Sequence, residues 1–163
     1  MIDWFSNIKD KDKHSFLVFD IVDFYPSISE ALLKSSLEYA KQHTTISDED
    51  VEIIMHSRKT LLVNDNDSWV KKGDSPMFDV AMGCYDGAEV CELVGLYILH
   101  KLASTYTNGS IGLYRDDGLA VFKDMSARSL DKARKDFSKV LGELGLQITA
   151  QSNLKIVNYL DVT

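Results

Sequence analysis

Four consecutive apolar residues, Phe16-Leu17-Val18-Phe19, lead directly into Asp20. So short and uniformly apolar a run reads as a strand covered on both faces, with the carboxylate marking the end at which it surfaces. A strand of that kind needs structure above and below it, so the chain must fold around this segment. Asp23-Phe24-Tyr25-Pro26-Ser27 then turns the chain, because the proline fixes its own φ and drives Tyr25 toward an extended conformation.

A second place repeats the pattern of apolar strand and surfacing acid. Ile111-Gly112-Leu113-Tyr114 and Leu119-Ala120-Val121-Phe122 flank Arg115-Asp116-Asp117-Gly118, the outline of a tight β-hairpin. Turns tolerate Asp well, and a strand end tolerates one too. Together the two places say more. With strand 16–20 central and the hairpin beside it, Asp20 and Asp116 converge at one edge of a sheet. Magnesium takes oxygen ligands, accepts one or two carboxylates, and leaves its other positions to water and substrate phosphates. Two such ions a few Å apart can activate an attacking hydroxyl and stabilise a leaving pyrophosphate.

The remaining elements follow from local signals. Ser29 can cap a helix running to about Gln42 with Leu32, Leu33, Leu37 and Tyr39 on it. Ser47 with Asp50 starts a second helix through about Leu62. Asn64-Asp65-Asn66-Asp67 is a turn, with Ser68-Trp69-Val70-Lys71 as the return arm of a small hairpin. Gly83 to Gly87 is a loop, Ala88 to about Thr105 an apolar helix, and Asn108-Gly109 a turn. Ser129 to Leu144 is an amphipathic helix closed by Gly145. Leu146-Gln147-Ile148-Thr149 and Ile156-Val157-Asn158-Tyr159-Leu160 alternate as strands. The order predicts an α+β domain, a mostly antiparallel sheet packed against helices.

A chain of 163 residues is one domain, and 45% hydrophobic with 26% charged residues is a globular balance. Cys84 and Cys91 are too few for a disulfide framework and have no paired His spacing for zinc. They read as reduced core residues, which suits a cytosolic or nuclear compartment. No apolar run approaches the roughly 20 residues that span a bilayer, and the start carries no signal-peptide pattern. His14, His43, His56 and His100 show no ligand spacing. The net charge of -7 opposes a self-sufficient nucleic-acid binder, because phosphate contacts need clustered Lys and Arg.

Phe19-Asp20-Ile21-Val22-Asp23-Phe24-Tyr25-Pro26-Ser27 resembles motif A of reverse transcriptases, and Tyr114-Arg115-Asp116-Asp117 resembles their motif C box, Tyr-x-Asp-Asp. Between them, Met82-Gly83-Cys84-Tyr85-Asp86-Gly87-Ala88-Glu89 is similar to motif B, usually Gln-Gly-x-Pro-Gln-Gly-Ser-Pro, with both glycines kept and Met82, Ala88 and Glu89 departing from the pattern. Gly145-Leu146 followed by Lys155 resembles motif D. Val157-Asn158-Tyr159-Leu160-Asp161-Val162 is similar to the primer-grip segment of Penelope-like retroelements. The motifs stand in the family's order and run from about residue 14 to the end.

The resemblance implies a polymerase palm with a ferredoxin-like core that transfers a dNTP to a primer 3′-hydroxyl on an RNA or DNA template. Asp20 and Asp116 would be the principal ligands of Mg²⁺ (or Mn²⁺), Asp117 a supporting acid and the Ile21 carbonyl a further ligand. Tyr25 falls where the family carries an aromatic gate that excludes a ribose 2′-hydroxyl, or else it is a buried turn aromatic. Gly83 and Gly87 would let backbone approach the nucleotide. Lys155 is either a cation beside the pyrophosphate or a surface lysine. Arg115 either faces the primer or screens the acids. Tyr159 and Leu160 would touch the primer. Glu89 either faces the nucleotide or sits in the first turn of a helix.

Fingers and thumb segments are expected to be missing, or supplied by a partner chain. Residues 29–80 would form a reduced fingers-side insertion, with Arg58, Lys59, Lys71 and Lys72 as phosphate contacts or as solvated surface charge. Lys132, Arg134, Lys135 and Lys139 read as a solubilising outer face. A catalytically inert palm module, used for assembly or partner binding, is the competing reading. A nucleotidyl cyclase fits the acids but not the Phe-Tyr-Pro-Ser turn or Tyr-x-Asp-Asp.

Overall fold

The computed structural model describes residues 7–10, 13–59, 62–70, 72, 78–107 and 109–160. The chain forms β1 (His14–Ile21), α1 (Phe24–Ser27), α2 (Glu30–Lys41), α3 (Asp48–Ser57), β2 (Leu62–Asn64), β3 (Asp67–Trp69), α4 (Gly87–Thr105), β4 (Gly109–Tyr114), β5 (Asp117–Lys123), α5 (Ala127–Glu143) and β6 (Ile148–Leu154). Four strands make one sheet in the order β4-β5-β1-β6, antiparallel throughout. With α4 and α5 they form the β-α-β-β-α-β arrangement called split βαβ or ferredoxin-like. The expected α+β class, an antiparallel sheet on helices, is what the chain adopts.

The run that opens the chain's first strand is buried as its composition demands. Leu17, Phe19 and Ile21 enter the main core with Leu33 and Leu37 of α2, Val94, Ile98 and Leu102 of α4, and Phe137 and Leu141 of α5. Phe16 points the other way and packs with Leu119, Val121 and Tyr159. Two cross-strand pairs set Phe against Gly. Phe19 is opposite Gly118 and Phe122 is opposite Gly109. The rings lie so close over these glycines that an added Cβ would come within 2.1 Å of Phe19 at Gly118 and 2.6 Å of Phe122 at Gly109.

Side-chain caps set where several helices begin. Ser29 accepts from the Leu32 N–H at 3.1 Å, and Ser47 with Asp50 closes a reciprocal capping box. Ser47→Ala should cost about 1 kcal/mol of stability, read as a lower urea midpoint with an unchanged slope. The last long helix starts before the expected Ser129. Ser126 is its cap and accepts from the Ser129 N–H at 3.2 Å.

Several expectations give way to tertiary structure. Tyr25 is helical, not extended: Asp23 takes a left-handed φ of 49° and absorbs the turn, so Pro26 falls in a first helical turn, where its missing N–H is not needed. The second helix stops at Ser57 instead of Leu62. Arg58, expected at a phosphate or in solvent, is instead buried and paired with Asp86 and Ser57, tying the end of α3 to the loop before α4. Lys59 bridges to Phe78 through backbone, Lys72 is exposed, and Lys71 lies outside the described residues. The expected final strand 156–160 does not form. β6 is longer than anticipated and ends at Leu154, after Asn153 adopts a φ of 62°, and the chain beyond it folds over the sheet to seat Tyr159. Cys91 is a core residue but Cys84 is exposed in a loop, so the two do not share a helix face. Asn108, Asp161 and Val162 lie outside the described residues. Arg134 and Lys135 both pair with Asp131 at 2.8 Å, which offsets part of the positive charge of α5, as on a solvated face.

Candidate active site

The acids meet because the β1–β5 ladder brings them together. Asp20 is the register partner of Asp117, and the Ile21 N–H donates to the Asp116 carbonyl at 3.0 Å. Strand alternation puts Asp20 and Asp117 on the face opposite Phe19 and Ile21, away from the helices. Asp116 lies beside them in the two-residue turn between β4 and β5, with Arg115 at a left-handed φ of 56°. The Arg115 guanidinium stands 5.4 Å from the centroid of the Tyr114 ring.

Burial, then the charges of Asp116 and Asp20, push the Asp117 carboxyl above the ordinary value of 3.8. The folded chain therefore holds that proton more tightly than the unfolded one. Stability falls as pH rises from 3.8 through the raised value, and the whole penalty is present above it. Asp20→Asn should stabilise the fold at neutral pH by up to about 1 kcal/mol, since like charges directly across a ladder repel. The gain should vanish below the carboxylate range. Thermal unfolding of both proteins across pH reads this directly, and an unchanged or lower midpoint at neutral pH would count against it.

The Tyr25 ring stands on the helix side of this edge. Burial, and after it the Cys91 thiol, raise its hydroxyl pKa, while Arg115 lowers it and Asp116 raises it. These groups therefore lie within electrostatic reach of the Tyr25 hydroxyl. A Cβ built on Gly87 would lie 3.2 Å from the Ala81 carbonyl oxygen, a tight approach, and in ordinary contact with Tyr25 Cε1 at 3.8 Å, so it is the loop's own backbone that crowds this position. Gly83 is a different case: its surroundings are open but its φ is +88°, a conformation that favours glycine. Glu89 lies in the first turn of α4, where a carboxylate suits the helix dipole.

On the opposite side, the Tyr159 hydroxyl donates to the Asp117 carbonyl at 2.9 Å. Burial and the Asp117 charge push this phenol up to about 12. Leu160 packs beside it under the sheet. Lys155 is not brought to the acids. Its Nζ donates to the His14 carbonyl at 3.0 Å and to Ser15 Oγ at 2.8 Å, at the opposite end of β1 from Asp20. That leaves Asp20, Ile21, Tyr25, Gly87, Arg115, Asp116, Asp117 and Tyr159 around one edge. Gly83 lies in the loop leading to it. Sequence reasoning missed that Cys91 lies within electrostatic reach of Tyr25. The available signal was its spacing, one helical turn after Gly87.

No family model matches the chain, and no curated protein matches it. Among solved structures it resembles an apo telomerase from Candida tropicalis truncated from its C-terminal domain, with a TM-score of 0.59 over 85% of this chain and 16% sequence identity. The fold is telomerase-like. The chain spans 30% of the length of that telomerase structure. Among the described residues, no helix is long and apolar enough to cross a membrane.

The donor set suits a hard divalent cation. It consists of carboxylate and carbonyl oxygens, and burial, then the charges of Asp116 and Asp20, raise the Asp117 carboxyl. Among the described residues no group of three or more acid, His or Cys side chains is placed to hold a metal ion. Magnesium does not need one, since one or two carboxylates with water and substrate oxygens complete its shell.

Proposed function

We propose that this chain is the palm of an RNA-directed DNA polymerase of the reverse-transcriptase type, joining a dNTP to a primer 3′-hydroxyl. The observation that carries the reading is the meeting of the motif A, B and C residues at one sheet edge. Asp20 faces Asp117 across the ladder, Asp116 tips the hairpin, and Tyr25 lies against the start of α4 at Gly87. The telomerase likeness supports the same reading at the level of fold, telomerase being related to reverse transcriptases.

Asp20 and Asp116 would hold Mg²⁺ or Mn²⁺, with Asp117 and the Ile21 carbonyl in support. Such ions supply charge at the transferring phosphate and a more acidic attacking hydroxyl. The chain's own contribution is position. Asp20 and Asp116 are fixed by backbone pairing, so the reacting groups they gather are held without side-chain rearrangement. The Tyr25 ring, within electrostatic reach of Asp116, would occupy the space a ribose 2′-hydroxyl needs. Gly87 would allow α4 to approach the incoming nucleotide. Template-primer contacts beyond this edge would come from fingers and thumb segments or from a partner chain, with residues 29–80 on the fingers side.

One observation favours the inert-module reading. Met82, Tyr85 and Tyr114 near the site are 80%, 105% and 50% exposed, as a surface covered by a partner would be. Primer extension on an RNA template with a DNA primer, in Mg²⁺ and Mn²⁺, separates the two. Extension by the wild type that disappears in Asp116→Ala supports the polymerase. A stable self-associated chain that neither extends primers nor responds to either cation supports the module.

A further inference from the structure

The loop that leads into α4 is held at both ends by one residue outside it. The Asp79 N–H donates to the Arg58 carbonyl at 2.9 Å, and the Asp86 carboxylate pairs with the Arg58 guanidinium. Inside the loop, the Cys84 N–H donates to the Ala81 carbonyl at 3.2 Å and the Gly87 N–H to the Cys84 carbonyl at 3.1 Å. Those bonds fix the loop's shape but not its place. Met82, Gly83, Cys84 and Tyr85 are exposed, so the middle gains little from packing and the two ends decide where the loop stands. The entering end is also packed, through Phe78 and Val80. At the leaving end the tether is the Arg58 side chain.

Asp86 stands where Ser29, Ser47 and Ser126 cap their helices, but it does not cap α4. The three serines are extended, with ψ of 159°, 164° and 155°, and each accepts from an N–H of its first turn. Asp86 has a ψ of 14° and no side-chain capping bond. Aspartate ranks among the strongest caps, so this carboxylate is committed away from its own helix, to a residue 28 positions back. Arg58 in turn is 3% exposed, and a charge buried that far needs a charged partner and hydrogen bonds. Asp86 supplies the partner, and Ser57 Oγ accepts from Arg58 Nε at 3.3 Å.

We propose that Arg58 is a positioning residue: by closing the 79–86 loop it sets where Gly83 and Gly87 stand, and thereby how tightly an incoming nucleotide is held. The nucleotide half of this inference rests on the polymerase reading above; the positional half does not. Arg58→Met keeps the backbone carbonyl and an apolar stem but releases Asp86. That carboxylate, with its side chain 35% exposed, can then hydrate or turn back to cap α4. The helix keeps its start while the loop loses its second tether.

Two readouts test the halves separately. In hydrogen exchange followed by mass spectrometry on the full chain, residues 79–87 should exchange faster in Arg58→Met, while β1, β5 and the middle of α4 keep their protection. Arg58→Lys, which keeps the charge but not the planar fork, should fall between. Unchanged loop protection in Arg58→Met overturns the inference. So does a uniform rise across every segment, which would make the pair a prop of the whole fold. In primer extension, KM for the dNTP should rise on the order of tenfold in Arg58→Met, less than the roughly hundredfold that a misplacement of about 1 Å can cost. kcat should change little, and Arg58→Lys should recover part of the KM. Loss of folded protein lowers kcat and leaves KM alone, so an unchanged KM overturns the nucleotide half whatever the rate. No extension by the wild type, with loop exchange changing as expected, overturns the polymerase reading and the nucleotide half while supporting the positional one.

Discussion

Asp116→Ala should abolish primer extension in both Mg²⁺ and Mn²⁺ while leaving the chain folded. The ladder uses the backbone carbonyl of Asp116, which accepts from the Ile21 N–H, and alanine keeps that carbonyl. The side chain is exposed at a turn, so its removal opens no cavity. It also relieves one of the charges that disfavour ionised Asp117, so the melting temperature should hold or rise slightly. Loss of groups that only orient metal ligands costs about 10–100-fold, and loss of a principal ligand should exceed that. A second readout does not need turnover. Millimolar Mn²⁺ should raise the melting temperature of the wild type by mass action, and this shift should shrink in Asp116→Ala. Extension within tenfold of wild type would place the chemistry elsewhere.

Gly118→Ala should be among the most damaging single-methyl changes available to the fold. An alanine Cβ there would stand 2.1 Å from Phe19 Cζ and 2.3 Å from both neighbouring ring carbons. Phe19 is 3% exposed and packs edge-on against Phe137 at 5.6 Å, so the ring has nowhere to go. Glycine and phenylalanine are also register partners, and the backbone cannot part them without breaking the ladder that carries Asp20 and Asp117. Overpacking typically costs about 1–3 kcal/mol and sometimes more, and this site belongs at or above the top of that range. A urea unfolding curve reads the loss. Phe19→Leu in the Gly118→Ala background should recover part of it by trimming the obstructing ring. An undiminished midpoint in Gly118→Ala would show that β1 and β5 can separate cheaply.

Much of this could be read from local sequence because local physics decides it. The strand before Asp20, the caps at Ser29 and Ser47, and the Arg115-Asp116 turn each depend on a few adjacent residues. The pairing of Asp20 with the hairpin follows once a central strand is assumed. What local pattern does not carry is contact between distant segments. Lys155 bonds to the start of β1 across 140 residues of sequence, and no motif spacing announces that. Arg58 reads as a surface cation until Asp86 is seen beside it. The alternation at 156–160 mimics a strand, yet Val157, Tyr159 and Leu160 cover the second face of the sheet, with Tyr159 as the anchor, while Ile156 is exposed. The nearness of Tyr25 to Gly87 needed the fold to place a motif A turn against the α4 face.

The Asp20–Asp117 pairing also fixes which changes in chain length the site can survive. Residues opposed across a ladder can only be re-matched in whole steps of about 3.3 Å, and each step turns a side chain to the other face. One residue gained or lost within β1, or between Asp117 and the middle of β5, would send an acid into the packed helix side instead of nudging it. The segment between α2 and α3, and the described residues 78–86 before α4, sit outside this ladder. The protein is thus inelastic along two short strands and extensible elsewhere, and length variation among functional versions of this chain should collect in those connections.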